Sequence, residues 1–173
     1  MSTPIPTLLT PRLTLRGLRA QDLDAFAAMQ ANPEVMKTLG TGVVRSRGET
    51  WDGMARMLGQ WALRGYGMFA VVENVTGRFI GRAGILHPYE REEPELAYGL
   101  DQPFWGRGYA TEAAVILHRW AFMQRHLAGL VSYVLASNTA SRRVVEKLGA
   151  TCTGRIVLLG SVEAERWQHR TPG

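Results

Sequence analysis

Between residues 95 and 136 the chain changes period twice, and this limits its fold more than any other feature. Glu95–Leu100 (ELAYGL) reads as a short strand. From about Gly108 to Arg125, Ala113, Leu117, Trp120 and Ala121 recur at helical spacing, and Gly129–Ala136 (GLVSYVLA) then reads as a buried strand. The junction between the first strand and the helix is Gln102–Glu112, QPFWGRGYATE. It places a proline-aromatic stop before two glycines and an alanine at alternate positions. Such glycines form either a tight turn that uses positive φ or a cradle for an anion. In the cradle, successive backbone N–H groups converge and the helix dipole adds partial positive charge. These residues alone leave both readings open.

The remaining patterning surrounds this unit with hairpins and helices. Leu13 and Leu15 alternate with Arg12, Thr14 and Arg16, as in a half-buried first strand, and Leu23, Phe26, Ala27 and Met29 follow at helical spacing until Asn32-Pro33 stops them. Ser46-x-x-Glu49 is a capping box that opens a second helix. Its face of Trp51, Met54, Leu58 and Trp61 is expected to meet the core, and Gly65 ends it. Tyr66–Glu73 and Arg78–Leu86 read as a hairpin around Asn74–Gly77. Asn138 caps a helix through Leu148 that Gly149 closes, and strands Thr151–Leu159 and Ser161–Gln168 meet at Gly160-Ser161. The order is strand, two helices, three strands, helix, strand, helix, two strands. It predicts a mixed, mostly antiparallel α/β layer fold in a single domain over 1–173.

Composition narrows the function classes. No apolar run approaches the ~20 residues that span a membrane, and the start MSTPIPTLLTPR lacks the basic and apolar regions of a secretory signal, so a cytoplasmic protein is expected. One cysteine, Cys152, excludes an intramolecular disulfide and argues against structural zinc; no metal is expected. Cys152 lies in a strand-like run and is expected to be a small buried residue, with none of His87, His118, His126 or His169 obviously paired to it. The formal net charge of +5 permits a polyanionic partner. Its arginines are scattered, and Lys37 and Lys147 are the only lysines, so no specific nucleic acid is expected. A small anionic cofactor would use the same field.

Two nucleotide motifs fail at the glycine junction. The phosphate-binding loop G-x-x-x-x-G-K-[ST] needs a lysine that is absent. The dinucleotide fingerprint needs a sixth-position glycine where this chain has Thr111, and Gln102-Pro103-Phe104 separates the strand from the glycines.

The run Trp105-Gly106-Arg107-Gly108-Tyr109-Ala110 instead resembles the acyl-CoA loop [QR]-x-x-G-x-[GA] of the GCN5-related N-acetyltransferase superfamily. Trp105 takes the first place, as in the branch that holds the ribosomal-protein N-terminal alanine and serine acetyltransferases. Asn138–Ala150 (NTASRRVVEKLGA) is similar to that branch's second motif, with its arginine at 143, and Asn32–Met36 (NPEVM) also fits. The likeness spans nearly the whole chain.

The resemblance implies about seven strands flanked by about four helices, with Glu95–Leu100 and Leu130–Ala136 as a splayed parallel pair. The pantetheine arm of acetyl-CoA would lie in that gap like an added strand. Trp105, Gly106, Arg107, Gly108, Tyr109, Ala110 and Thr111 would surround the pyrophosphate, with Tyr98, Leu100 and Asn138 on the arm. An N–H near Ala97 or Tyr98 would meet the thioester carbonyl. Glu95 is the candidate general base and Ser141 the candidate acid or thiol hydrogen-bond donor. Each has a plainer alternative: Glu95 as part of a solvated acidic strand start, Ser141 as support for a helix cap, and Arg107 as a solvent-facing arginine. Glu112 is expected to brace the helix N-terminus, and His87 lies near the acceptor side. The implied reaction is direct acetyl transfer in a ternary complex to a primary amine, either a protein N-terminus or a small molecule. The alternative is a non-catalytic acyl-CoA sensor on the same fold. Monomer and homodimer both occur in the superfamily.

Overall fold

The computed structural model describes residues 4–173. In chain order the elements are β1 (Leu8–Leu9), β2 (Leu13–Arg16), α1 (Leu23–Ala31), α2 (Pro33–Met36), α3 (Arg47–Arg64), β3 (Met68–Glu73), β4 (Phe79–Leu86) and β5 (Glu95–Leu100). There follow α4 (Tyr109–Met123), β6 (Val131–Leu135), α5 (Thr139–Lys147), β7 (Thr151–Leu158) and β8 (Val162–Gln168). The strands form one sheet in the order β1-β2-β3-β4-β5-β6-β8-β7, antiparallel at every pairing except β5–β6. The mixed architecture matches the expectation, with eight strands and five helices among the described residues rather than seven and four. The added strand is the two-residue β1. The added helix arises because Asn32 ends α1 and then caps α2, its Oδ1 accepting from the Glu34 N–H at 3.0 Å.

Local chemistry accounts for the element boundaries. Ser46 and Glu49 exchange the reciprocal capping bonds, 2.7 Å from the Ser46 N–H and 3.2 Å from the Glu49 N–H. At its far end α3 stops on Gly65, whose φ of 72° is accessible to glycine at little cost. Helix α4 lays Ala113, Leu117, Trp120 and Ala121 into the main core against Phe69, Ile85 and Leu96. Trp61 belongs to that core and donates its indole N–H to the Met68 carbonyl at 2.8 Å.

Two expectations about burial are corrected. Trp51, one turn into α3, is 50% exposed, because only part of the α3 stripe reaches the core; Met54 and Trp61 are buried and Leu58 is not. Cys152 is exposed rather than buried. Strand β7 lies at the sheet edge, and most of its residues face solvent.

Candidate active site

The site begins where the sheet comes apart. Strands β5 and β6 share the register pair Glu95↔Val131, with the Val131 N–H donating to the Pro94 carbonyl at 3.0 Å. One residue further on, a side chain replaces the ladder: Ser132 Oγ donates to the Leu96 carbonyl at 2.8 Å and lies 2.9 Å from His169 Nε2. Past that point the strands diverge. Ala97–Leu100 and Tyr133–Leu135 line a cavity of about 1630 Å³ that also reaches the α4 N-terminus and α3. Unpaired strand backbone beside a cavity is a template for an extended ligand.

The glycine junction forms the mouth of this gap. Asp101 Oδ1 accepts from the Gln102 N–H at 2.9 Å, which starts a single 3₁₀ turn over Gln102–Phe104. Trp105 folds back and donates its indole N–H to the Leu100 carbonyl at 2.8 Å, fastening the loop to the end of β5. Gly108, at φ 80°, is the residue from which α4 starts, a conformation that costs most other residues about 1–2 kcal/mol. The N–H groups of Tyr109, Ala110 and Thr111 begin the helix and lack intrahelical acceptors. All three residues line the cavity, as do Trp105, Gly106 and Gly108. Tyr109 is anchored below by its hydroxyl, which donates to the buried Glu73 carboxylate at 2.6 Å.

Arg107 stands apart from this wall. It is exposed, with its guanidinium 5.6 Å from the Phe104 ring centre and its carbonyl accepting from Arg12 Nη1 at 2.9 Å. Glu112 reaches further than the helix terminus it was expected to brace. Its Oε1 accepts from Thr10 Oγ1 at 2.6 Å and the Arg12 N–H at 2.9 Å, and its Oε2 from Arg12 Nε at 2.6 Å. The carboxylate therefore ties the first turn of α4 to the β1–β2 turn.

Glu95 is buried at the start of β5, ion-paired with Arg91 and close enough to Arg82 to feel its charge. Burial pushes its carboxyl above the usual carboxylate range, against the opposing pull of the two arginines. Ser141 does cap, with its N–H donating to Asn138 Oδ1 at 3.0 Å, but its hydroxyl is used elsewhere. Ser141 Oγ lies 2.9 Å from the Tyr98 hydroxyl, across the open end of the β5–β6 gap. Burial raises the Tyr98 phenol to about 12, so it remains a proton-bearing donor at neutral pH. Asn138, Ser141, Tyr98 and Leu100 all line the cavity. On the α3 side, His87 Nδ1 lies 2.6 Å from the Tyr66 hydroxyl and its Nε2 3.1 Å from the Arg91 carbonyl. Burial, with Arg64 nearby, lowers the His87 pKa, so the ring is neutral at pH 7.

Sequence reasoning gave Tyr98 a backbone role alone and gave Arg82 none. Strand alternation carries the missing signal for Tyr98. In ELAYGL, Glu95, Ala97 and Gly99 point to one face and Tyr98 to the other, where the second motif's helix packs.

A sheet opened at one parallel junction, with free helix N–H groups at its mouth and a carboxyl and two hydroxyls along the gap, suits a transferase that takes a long donor edge-on. Residues 12–151 match the model of the acetyltransferase (GNAT) domain, and the chain belongs to that family. An uncharacterized N-acetyltransferase, p20, of Bacillus licheniformis is 29% identical over 144 residues, covering 82% of this chain and 80% of its own. The FsC-acetyl coenzyme A-N(2)-transacetylase of Aspergillus fumigatus is 29% identical over 160 residues, covering 84% of this chain and 65% of its own. The crystal structure of an acetyltransferase from Agrobacterium tumefaciens superimposes with a TM-score of 0.86 at 34% identity, over 99% of this chain and 98% of that one. A ribosomal-protein alanine acetyltransferase from Vibrio fischeri shares the fold, with a TM-score of 0.74 at 15% identity over 95% and 94% of the two chains. The chain is an acyl-CoA-dependent acetyltransferase of the GNAT type.

Proposed function

We propose that this protein transfers the acetyl group of acetyl-CoA directly to a primary amine, acting as one domain in the cytoplasm. The observation that carries the reading is the continuity of three parts in one cavity. These are the free N–H groups at the start of α4, the unpaired backbone between β5 and β6, and the cleft that holds Glu95. The dimensions and donor set suit acetyl-CoA. Glycines at 106 and 108 keep side chains off the anion-facing backbone, and a Cβ at Gly106 would meet nothing within 4 Å, so the loop has room for a bulky diphosphate. When bound, acetyl-CoA supplies an activated thioester carbonyl and a thiolate leaving group.

The chain's own groups supply the rest. An aliphatic amine is largely protonated at neutral pH and must lose a proton to attack. Glu95, raised by burial, accepts that proton, directly or through one water. The Tyr98 backbone N–H, on the β6 side of β5 where the ladder opens, polarises the carbonyl at which negative charge develops; that of Ala97 faces β4, opposite Gly84. The Tyr98–Ser141 hydroxyl pair donates to the departing sulfur. Either hydroxyl of the pair can present the proton, Tyr98 being also within 3.2 Å of the Ser141 carbonyl and Asn138 holding the Ser141 backbone. The exposed Cys152 has no part in this direct route; an unpaired thiol suits a reducing compartment.

The test is thiol release from acetyl-CoA with a panel of amines, for the wild type, Glu95→Gln, Tyr98→Phe and Ser141→Ala. Glu95→Gln is expected to lower kcat/KM by about 10²–10⁴-fold with acetyl-CoA affinity retained. Tyr98→Phe and Ser141→Ala are expected to lower kcat non-additively, because they act as one unit. Full turnover by Glu95→Gln would remove its role as base, and full turnover by both hydroxyl variants would remove the donor.

A further inference from the structure

The α3 side of the cavity holds a cation without a hydrogen-bonded partner among the described residues. Arg82 lies on β4 opposite Gly99 of β5, so its side chain leaves the same sheet face as Gly99, Ala97 and Glu95. Leu39 packs closely over Gly99 on that face, where a Cβ would come 2.9 Å from Leu39 Cδ1, and Arg82, Glu95 and Leu39 all line the cavity. Arg82 Nε is shielded from solvent without a hydrogen-bond partner, and no side-chain hydrogen bond or ion pair of this guanidinium occurs among the described residues. Burial lowers its pKa to about 10, with Arg45 adding repulsion and Glu95 opposing both, so it is charged at neutral pH. Gln30 Oε1 on the same wall is likewise buried and unpartnered.

The neighbouring charges deepen the imbalance. Arg45, Arg56 and Arg64 also line this end of the cavity, and none has an ion-pair partner among the described residues. Arg91, by contrast, is occupied by Glu95. Of the four glutamates in the acidic segment 90–95, the two nearest β5 are engaged, while Glu90 lines the outer part of the cavity. Glu93 binds Arg166 in a two-pronged contact at 2.6 and 2.9 Å, and Glu95 binds Arg91. Arg82 is half-buried: Nε is shielded, the outer guanidinium nitrogens reach the cavity, and its planar fork fits a carboxylate with two parallel bonds.

Resting on the acetyl-transfer reading above, we infer that the acceptor is an amine bearing a free carboxylate, of the amino-acid class, bound with its carboxylate on Arg82 and its amino group toward Glu95. The acceptor's two charges then meet the Arg82 guanidinium and the Glu95 carboxyl on a single sheet face. Polyamines and aminoglycosides, which are polycations, are disfavoured by the same arginines, and an acceptor with a blocked carboxylate leaves Arg82 unpaired.

The experiment compares thiol release from acetyl-CoA with free α- and ω-amino acids, the corresponding amides, and spermidine. The best free acid is expected to exceed its amide at least tenfold in kcat/KM, with spermidine poorer still. Arg82→Met should raise KM for that acid about tenfold or more and leave the amide within about threefold. In the absence of acceptor it should melt close to the wild-type temperature, since Arg82 makes no side-chain hydrogen bond or ion pair among the described residues. Arg82→Lys keeps the charge, loses the fork, and should retain part of the preference; it carries the comparison if the methionine variant does not fold. Equal use of acid and amide, preference for spermidine, or an Arg82 variant that weakens acid and amide alike overturns the inference while leaving acetyl transfer standing. Release of no thiol with any amine of the panel overturns the transfer reading, and this inference with it.

Discussion

Replacing Glu112 by glutamine should loosen the acyl-CoA loop from outside the cavity. One carboxylate of α4 accepts three bonds from the β1–β2 turn, and Arg12, which it orients, also holds the Arg107 carbonyl at 2.9 Å. Hydrogen bonds to a charged acceptor contribute about 1.5–3 kcal/mol each when shielded. Arg12 is 45% exposed, so its ion pair is discounted to about 0–1 kcal/mol. Glutamine keeps one acceptor oxygen and turns the other site into a donor facing a donor. The net loss is therefore about 2–3 kcal/mol, or a fall in Tm of about 4–12 °C for a chain of this size.

The pH dependence follows from the shift of Glu112. Burial acts to raise its pKa, but the bonds from Thr10 and Arg12 outweigh burial and the folded-state pKa is lowered. Its stabilisation is therefore present above the unfolded value of 4.5 and is lost as pH falls through the folded value. Thermal melts of wild type and Glu112→Gln should differ by the stated amount at pH 7 and converge as pH falls below 4.5 and through the lowered folded-state value. Calorimetry at pH 7 should show weaker acetyl-CoA binding by the variant. Melts within 1 °C at pH 7, or a gap that persists unchanged into acid, would refute the reasoning.

Three further outcomes are expected. Trp61→Ala should cost about 3–5 kcal/mol in urea unfolding, because its ring sits 4.9 Å from Phe69 and 5.8 Å from Trp120; Trp51→Ala, half exposed on the same helix, should stay within about 0.5 kcal/mol. Gly108→Trp should abolish measurable acetyl-CoA binding, since φ is 80° there and a side chain would stand at the anion-facing turn; unchanged affinity by calorimetry would move the anion site elsewhere. Activity carried by Glu95 should rise with pH along a limb placed above that of an ordinary carboxylate, because burial raises its pKa and the ionised form is the base; Glu95→Gln should flatten that limb.

The residues announced their own local structure well. The Ser46–Glu49 box, Gly65, the Asn74–Gly77 hairpin, the limits of β5 and the Gly149 stop all rest on short-range chemistry, and each forms where the residues place it. What was not legible depends on partners distant in sequence. Trp51 keeps helical spacing with Met54 and Trp61, but spacing cannot say how much of a stripe an 18-residue helix will bury. The hydroxyl pair of Tyr98 and Ser141 joins residues 43 apart, and the two bonds that tie Glu112 to Arg12 span 100. Arg82 gives no signal in sequence: its meaning lies in the lack of a partner, which only the packed structure reveals.

The glycine junction shows both sides of this. Its motif pointed to an acyl-CoA loop, and its glycines do adopt positive φ at the mouth of the cavity. What the motif could not convey is that the loop is held by Trp105 on the Leu100 carbonyl and by Glu112 on the β1–β2 turn.

The most direct test of the central claim is a matched count of products. Purified protein is mixed with acetyl-CoA and the best amine from the panel, released thiol is titrated, and N-acetylated amine and protein mass are measured by mass spectrometry. Thiol and acetylated amine formed in equal amounts, with the protein mass unchanged by acetyl-CoA alone, is the predicted result. Acetyl-CoA that protects the protein from heating yet releases no thiol with any amine, or an acetyl group found on the protein itself, would contradict direct transfer.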